Sequence, residues 1–303
     1  FKVNSGEYKV MGLAPYGEPK YVDLIFQELV DLKEDGSFRL NQDYFDYCTG
    51  LKMTNEKFDK LFGGAARKSS EELTQRHMDL AASVQKALSK IILTMTSSLH
   101  QEYGIDNLCL AGGVALNCVT NGEILKQKAF KNLWIQPAAG DAGGALGAAL
   151  CGTYQMAGIT RQVQSHDSMK GSLLGPSFPQ DHIEARLKNL GAQFEVFKED
   201  EIIAKTSYAL QNEKTVGWFQ DEMEFGPRAL GHRSIIADPR NSHMQKTLNM
   251  KIKFRESFRP FAPSILREHL EEWFELDCDS PYMLLVADLK KENQKTMSQN
   301  AEK

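Results

Sequence analysis

The sequence predicts an α/β protein in two parts. Three features carry that prediction: a long amphipathic helix, two consecutive strand–glycine loop–helix units, and a late strand that runs into an arginine-rich cassette. The helix covers 71–103, where Leu80, Val84, Leu88, Ile91, Ile92, Met95 and Leu99 recur at helical spacing and predict one buried apolar face ending near Gly104. A short apolar run from Asn107 then stops on Gly112 and Gly113, and a second helical stretch lies near 122–129. The pattern repeats at once, with a strand over 132–136, a loop over 139–144 and helix formers over 145–156. After Gly158 the chain turns polar and is punctuated by Gly and Pro, so residues 161–180 read as a linker between a first domain, 1–160, and a second, 181–303. The second domain is expected to hold helices over 181–190 and 200–211 and strands over 193–197 and 215–219.

Composition narrows the function classes. The 303 residues are 42% hydrophobic and 25% charged, ordinary for a globular chain with about two cores. A formal charge of -4 argues against a nucleic-acid or anionic-membrane coat, so any basic site must be local. Cys48, Cys109, Cys118, Cys151 and Cys278 are scattered and lack metal-binding spacing, which predicts core thiols in a reducing compartment. No window approaches ~18 uninterrupted apolar residues, and the sequence reads as cytoplasmic. The chain opens on Phe1 and closes on a polar, lysine-rich run over 290–303, which suggests a fragment.

Loops that end buried strands and open helices present unpaired N–H groups and the positive end of the helix dipole. Gly112, Gly113, Gly140, Gly143 and Gly144 meet that requirement in two places, although glycine also serves tight turns without any ligand. Asp141 stands at the start of the second helix, where spacing alone favours an N-cap over a metal ligand. Asn117 and Asn121 could hold turns or hydrogen-bond a nucleotide.

Charge is concentrated between Lys214 and Arg267, where ten Lys or Arg face five Asp or Glu. The cassette contains Phe225-Gly-Pro-Arg228-Ala-Leu-Gly-His-Arg233-Ser234, then Arg240, then Lys251, Lys253, Arg255 and Arg259 beside Phe and Pro. Period-two spacing would set Lys251, Lys253 and Arg255 on one side of an extended strand. Guanidinium groups bind phosphate bidentately and keep their charge. The phosphate-site reading is favoured over two others, a solvated face and an RNA patch with interleaved Phe254, Phe258 and Phe261. Together the loops and cassette predict the phosphate- and nucleotide-handling part of a group-transfer enzyme.

Five strings in order carry a resemblance: Glu7 to Gly17, Ala111 to Asn117, Gly140 to Gly147, Phe225 to Ser234 and Phe258 to Pro263. Between about Lys2 and Leu285 the chain resembles the O-carbamoyltransferases of nodulation-factor and antibiotic biosynthesis. The resemblance implies part of an actin and sugar-kinase-like domain followed by an α/β domain similar to threonylcarbamoyl-adenylate synthases. It also implies conversion of carbamoyl phosphate and ATP, with Mg2+, to carbamoyl adenylate, and transfer of the carbamoyl group to the hydroxyl of a small-molecule or sugar acceptor. Under it, Arg228, Lys253 and Arg259 are the ligands of carbamoyl phosphate and the nucleotide phosphates, with Arg233, Arg240 and Arg255 as supporting cations. Gly112, Gly113, Asn117, Gly143 and Gly144 match nucleotide loops, and Asp141 matches a metal-ligand aspartate, which reverses the N-cap preference.

The family's HxxxH pair, which completes a site for a divalent metal with iron as one candidate, has no counterpart here. This chain alone is therefore expected to bind metal poorly and not to complete the transfer. Two further readings stay open: an actin-like kinase, which has no use for the cassette, and a non-catalytic nucleotide- or RNA-binding module. The sequence leaves the acceptor and the oligomeric state open.

Overall fold

The computed structural model of the protein describes residues 6–295. Lys2, where the resemblance starts, and the end of the polar run, 296–303, lie outside the described residues. In chain order the elements begin with α1 (Glu7–Leu13), α2 (Val22–Leu24), β1 (Val30–Leu32), β2 (Phe38–Leu40), α3 (Glu56–Leu61) and α4 (Gln75–Tyr103). The glycine-loop units follow as β3 (Asn107–Leu110), α5 (Cys118–Gln127), β4 (Asn132–Ile135) and α6 (Asp141–Cys151). Then come α7 (Gln180–Asn189), α8 (Glu199–Gln211), β5 (Val216–Phe219), β6 (Arg233–Ile236), α9 (Met244–Thr247) and α10 (Leu270–Trp273).

Helices are joined to small sheets, a mixture compatible with the predicted α/β class. β3 and β4 pair in parallel from Asn107↔Asn132 to Leu110↔Ile135, with α5 as the crossover helix that parallel pairing needs. β1–β2 and β5–β6 are antiparallel pairs. The strand expected over 193–197 does not form. The segment pairs with no neighbour, and an unpaired strand leaves its backbone groups to water.

The long helix forms where expected, opened by Thr74 and His77 in a capping box and closed by Gly104 at φ 60°. Its buried face differs from the apolar stripe. Asp79, Ala81, Ala82, Ser83, Ala87, Ser89, Ile91 and Thr96 are buried, whereas Val84 and Leu99 are exposed. The cause is crowding: α4 meets α1, the turn at 14–16, α2 and α5, and close approach of several backbones favours small side chains over Leu and Val. Ala87 and Ile91 join Ile25, Leu29, Val30 and Phe62 in one core, while Ala81 packs with Leu13 and Ala14 in another.

A third core holds Ala115, Ile135, Ala139, Met169, Tyr282 and Leu284, and Phe225 and Leu230 pack against it. It therefore draws on both glycine loops, on the 161–180 segment and on the cassette. The cysteines were expected in cores, but Cys48, Cys109 and Cys151 are exposed and Cys118 and Cys278 only half-buried. Cys109 lies on an open face because β3 and β4 form a two-stranded sheet. No helix among the described residues is long and apolar enough to cross a membrane.

One close approach fixes the 282–286 segment against α5. A Cβ on Gly122 would sit 2.3 Å from the Val286 carbonyl oxygen, a backbone atom that cannot swing aside. Gly122→Ala is expected to destabilise by about 1–2 kcal/mol: a clash with a backbone atom falls in the upper part of the overpacking range, ~2–3 kcal/mol, and alanine returns ~1 kcal/mol of helix propensity. Urea unfolding measures it, and an unchanged midpoint would contradict the contact.

Candidate active site

Two junctions gather the five sequence motifs. At the first, Gly112, with φ 95°, ends the β3 turn and donates its N–H to the Ala139 carbonyl at 3.0 Å, tying one glycine loop to the other. A helical turn over Gly113–Leu116 then delivers Asn117 to the N-cap of α5, where Oδ1 accepts from the Thr120 N–H at 3.1 Å. Asn117 Nδ2 also donates to Gln85 Oε1 on α4 at 2.9 Å. Asn121, 2% exposed, donates to the Ala115 carbonyl at 2.8 Å and the Leu284 carbonyl at 3.0 Å. Both asparagines thus hold turns and elements in place.

In the second loop Gly140 occupies the N-cap of α6, so Asp141 is not the cap: it opens the helix, exposed, without a side-chain capping bond. Its charge there complements the helix dipole. A Cβ on Gly143 would lie 2.5 Å from the Ala138 carbonyl oxygen, whereas Gly113 and Gly144 face open space. Among the described residues no group of three or more His, Cys, Asp or Glu is placed to hold a metal ion. Asp141 offers one carboxylate, and the described residues do not fit a complete metal site.

The cassette loop packs directly on these turns. Gly226 lies so close that a Cβ there would sit 2.6 Å from Ala138 Cβ. Arg228 reaches across, and its Nη2 donates to the Leu116 carbonyl at 3.0 Å. Its Nε is buried and has no hydrogen-bond partner among the described residues. Burial pushes the neighbouring Cys118 thiol up, and the Arg228 charge opposes that rise. Arg228, Leu116, Pro137, Ala138, Phe225 and Tyr282 line a pocket of about 10 Å³, room for about one water.

At the second junction α1 meets the 249–261 loop. Arg259 stacks over the Tyr8 ring at 4.5 Å, and Glu256 lies 2.6 Å from Lys9 Nζ and 3.7 Å from Arg259 Nη1. Tyr16 donates its hydroxyl to the Phe258 carbonyl at 3.4 Å. Arg255 stacks on Phe261 at 4.7 Å and donates from Nε to Asn249 Oδ1 at 2.6 Å. Burial, then the adjacent Arg259 charge, lowers the Arg255 pKa, as expected where cations outnumber the anions around them. The two junctions adjoin through Cys118 Sγ, 3.9 Å from Met11 Sδ on α1.

The predicted cations therefore divide. Arg228 sits at the first junction and Arg255 and Arg259 at the second, while Lys253 is exposed and makes no ion pair among the described residues. The row expected for Lys251, Lys253 and Arg255 is absent. Residues 248–252 form a wide helical turn and Phe254 has φ 48°, so the chain there is not extended. Arg240 is exposed and bidentate to Asp238, whose carboxyl it holds at about 2. Arg233 is paired with the buried Glu224.

Two residues outside the sequence prediction organise these loops. Asn249, fully buried, donates to the Ser257 carbonyl at 3.0 Å and the Arg259 carbonyl at 2.8 Å; Glu224 holds the Arg228 loop by accepting from the backbone N–H groups of Leu230 and His232. Only the position of Glu224, immediately before Phe-Gly-Pro-Arg, hinted at a role. A larger cleft of about 460 Å³ opens on the outer side of α4 near Lys86, Lys90 and Ser97, but no motif residue lines it. Size and chemistry point to different places, and the convergence of motifs decides for Arg228.

Residues 1–150 match the family model described as carbamoyltransferase N-terminus, and residues 207–301 match the one described as carbamoyltransferase C-terminus. The chain belongs to the carbamoyltransferase family. It is 58% identical over 294 residues to an uncharacterized protein of Synechocystis sp., covering 96% of this chain and 48% of that protein. It is 37% identical over 270 residues to the nodulation protein NolO of Bradyrhizobium diazoefficiens, covering 89% of this chain and 47% of that protein. Over 194 residues it is 31% identical to the 3'-hydroxymethylcephem-O-carbamoyltransferase of Streptomyces clavuligerus, covering 61% of this chain and 33% of that protein. The chain thus spans about half or less of the length of these relatives. Within the carbamoyltransferase, Leu116 falls in the N-terminal family region and Arg228 in the C-terminal one, so the bond between them joins the two.

Proposed function

We propose that this chain supplies the phosphate-handling part of a carbamoyltransferase that activates carbamoyl phosphate with ATP and passes the carbamoyl group to a hydroxyl of a small-molecule or sugar acceptor, a transfer this chain alone does not complete. Carbamoyl phosphate, ATP and one water yield carbamoyl adenylate, pyrophosphate and phosphate; the acceptor oxygen then takes the carbamoyl carbon and AMP leaves. The observation that carries the reading is the half-buried Arg228 side chain at the meeting of both glycine loops and the cassette, whose Nε is buried and lacks an acceptor among the described residues. A half-buried cation with one buried, unsatisfied N–H favours an anion, and a phosphate oxygen supplies both charge and acceptor.

Both substrates are strongly anionic, so bringing them together requires cations that offset their repulsion and stabilise charge on the leaving groups. In this reading Arg228 and Arg259 hold phosphate, each fixed by the neighbours described above, and Lys253 is the mobile charge that follows the transferring group. Arg255 supports Arg259 and Arg233 acts through Glu224, whereas Arg240 is satisfied by Asp238 and contributes little. Gly112, Gly113, Asn117, Gly143 and Gly144 shape the nucleotide loops, ATP brings Mg2+, and Asp141 is the ligand this chain would contribute to a metal. The parts correspond to an actin-like domain and a threonylcarbamoyl-adenylate-synthase-like domain in a cytoplasmic enzyme.

ATP–pyrophosphate exchange tests it, measured with and without carbamoyl phosphate in this chain and in the full-length Synechocystis relative. Exchange that depends on carbamoyl phosphate is expected. Exchange indifferent to it in both proteins would defeat the proposal, and phosphorylation of an acceptor instead would favour a kinase.

A further inference from the structure

The cassette loop closes on a single carboxylate. Glu224 is 4% exposed, and its Oε1 accepts from the Leu230 N–H at 2.6 Å and the His232 N–H at 2.8 Å. Its Oε2 accepts from Arg233 Nε at 3.0 Å. Arg233 in turn donates from Nη2 to the carbonyls of Gly226 and of Arg228, the latter at 3.3 Å. One ion pair therefore grips both sides of the loop, and one of its bonds ends on the backbone of Arg228 itself. The loop's base is anchored independently, by the antiparallel bridge between Leu173 and Glu224 and by the Phe225 N–H on the Ser172 carbonyl at 2.6 Å. Burial pushes the Glu224 carboxyl up, but hydrogen bonds from Leu230, its own backbone, His232 and Arg233 outweigh it and hold the group below the usual range.

We infer that Glu224 is a positioning residue for the carbamoyl donor: through Arg233 it fixes the Arg228 backbone so that the guanidinium stands ready for the anion. The inference rests on the function proposed above. Its physical basis is preorganisation. A guanidinium on an untethered, glycine-flanked loop must lose conformational freedom on binding, and a tether made in advance removes that cost.

Glu224→Gln separates the roles through the amide it introduces. Its carbonyl oxygen can still accept from both Leu230 and His232, but its amide would set a donor against Arg233 Nε–H, and the charge is gone. Arg233→Lys is the second variant, keeping the charge opposite Glu224 while lacking the fork that reaches the Arg228 carbonyl.

The test is calorimetric titration of carbamoyl phosphate into the wild-type chain, Glu224→Gln, Arg233→Lys and Arg228→Ala, with the full-length Synechocystis relative carrying the same changes in parallel. Each titration reports the dissociation constant of the folded molecules separately from their fraction. Glu224→Gln and Arg233→Lys are expected to weaken binding about 10-fold or more at nearly unchanged stoichiometry. A purely structural role would lower the stoichiometry and leave the dissociation constant unchanged, which overturns the inference. If Arg228→Ala abolishes binding while both other variants bind normally, only the positioning role falls. If Arg228→Ala binds normally, the proposed site itself falls.

Discussion

Arg228→Ala lowers carbamoyl-phosphate-dependent ATP–pyrophosphate exchange by about 100- to 1,000-fold, the cost of removing one preorganised donor from a site where charge develops. The size follows from where the side chain sits. Its Nη2 is fixed on the Leu116 carbonyl and its Nε is buried without a partner, so the group is oriented before substrate arrives. Arg228→Lys recovers little, because a lysine cannot bond the carbonyl and a phosphate oxygen in the same fork geometry. Arg240→Ala serves as the contrast: that guanidinium is exposed and satisfied by Asp238, and its loss is expected to change exchange less than about 3-fold. Equal losses for Arg228→Ala and Arg240→Ala, measured at saturating ATP, would show that the cassette acts as a diffuse positive field.

The largest effect on stability is expected at Asp79. This carboxylate lies in the buried face of α4, where it accepts from the Glu18 N–H at 2.9 Å and Gln75 Nε2 at 2.8 Å and lies 2.5 Å from Lys20 Nζ. The backbone bond from Glu18, then the side chains of Lys20 and Gln75, hold its pKa at about 2 against an ordinary 3.8. Asp79→Ala leaves the Glu18 N–H without its acceptor, removes the shorter of two bonds from the Gln75 amide and frees Lys20, at a cost of about 2–4 kcal/mol. Because the folded pKa is depressed, the stabilisation is fully present above pH ~4 and is lost as pH falls through about 2. Urea unfolding at pH 7 and at pH 2.5 checks both points: the gap between wild type and Asp79→Ala should narrow at the lower pH. A constant gap would mean that the cost is packing rather than charge.

The two glycine-loop units were legible because each rests on local chemistry: a short apolar run, paired glycines and helix formers, all within about thirty residues. The cassette was legible because charge density and Gly-Pro punctuation are written in the chain itself. The buried face of α4 was not. Val84 and Leu99 obey the helical period but point outward, since four elements converge on the opposite side and admit Ala, Ser and one hydrogen-bonded Asp more readily than branched side chains. The cationic row failed for a related reason. A period of two predicts a face only if the backbone is extended, and Asn249 pulls 255–259 into a compact loop instead.

By itself, then, the sequence determined the long helix, the two glycine-loop units and the place of the arginines, because propensity, periodicity and charge are properties of neighbouring residues. Tertiary structure alone decided that Arg228 would bond the Leu116 carbonyl and that Arg233 would turn inward to Glu224, whereas Arg240 is spent on Asp238 only two positions away. Which cation stays available depends on which carboxylate or carbonyl the fold carries to it, here from as far as 112 positions along the chain. Local sequence chemistry has no term for an encounter at that separation.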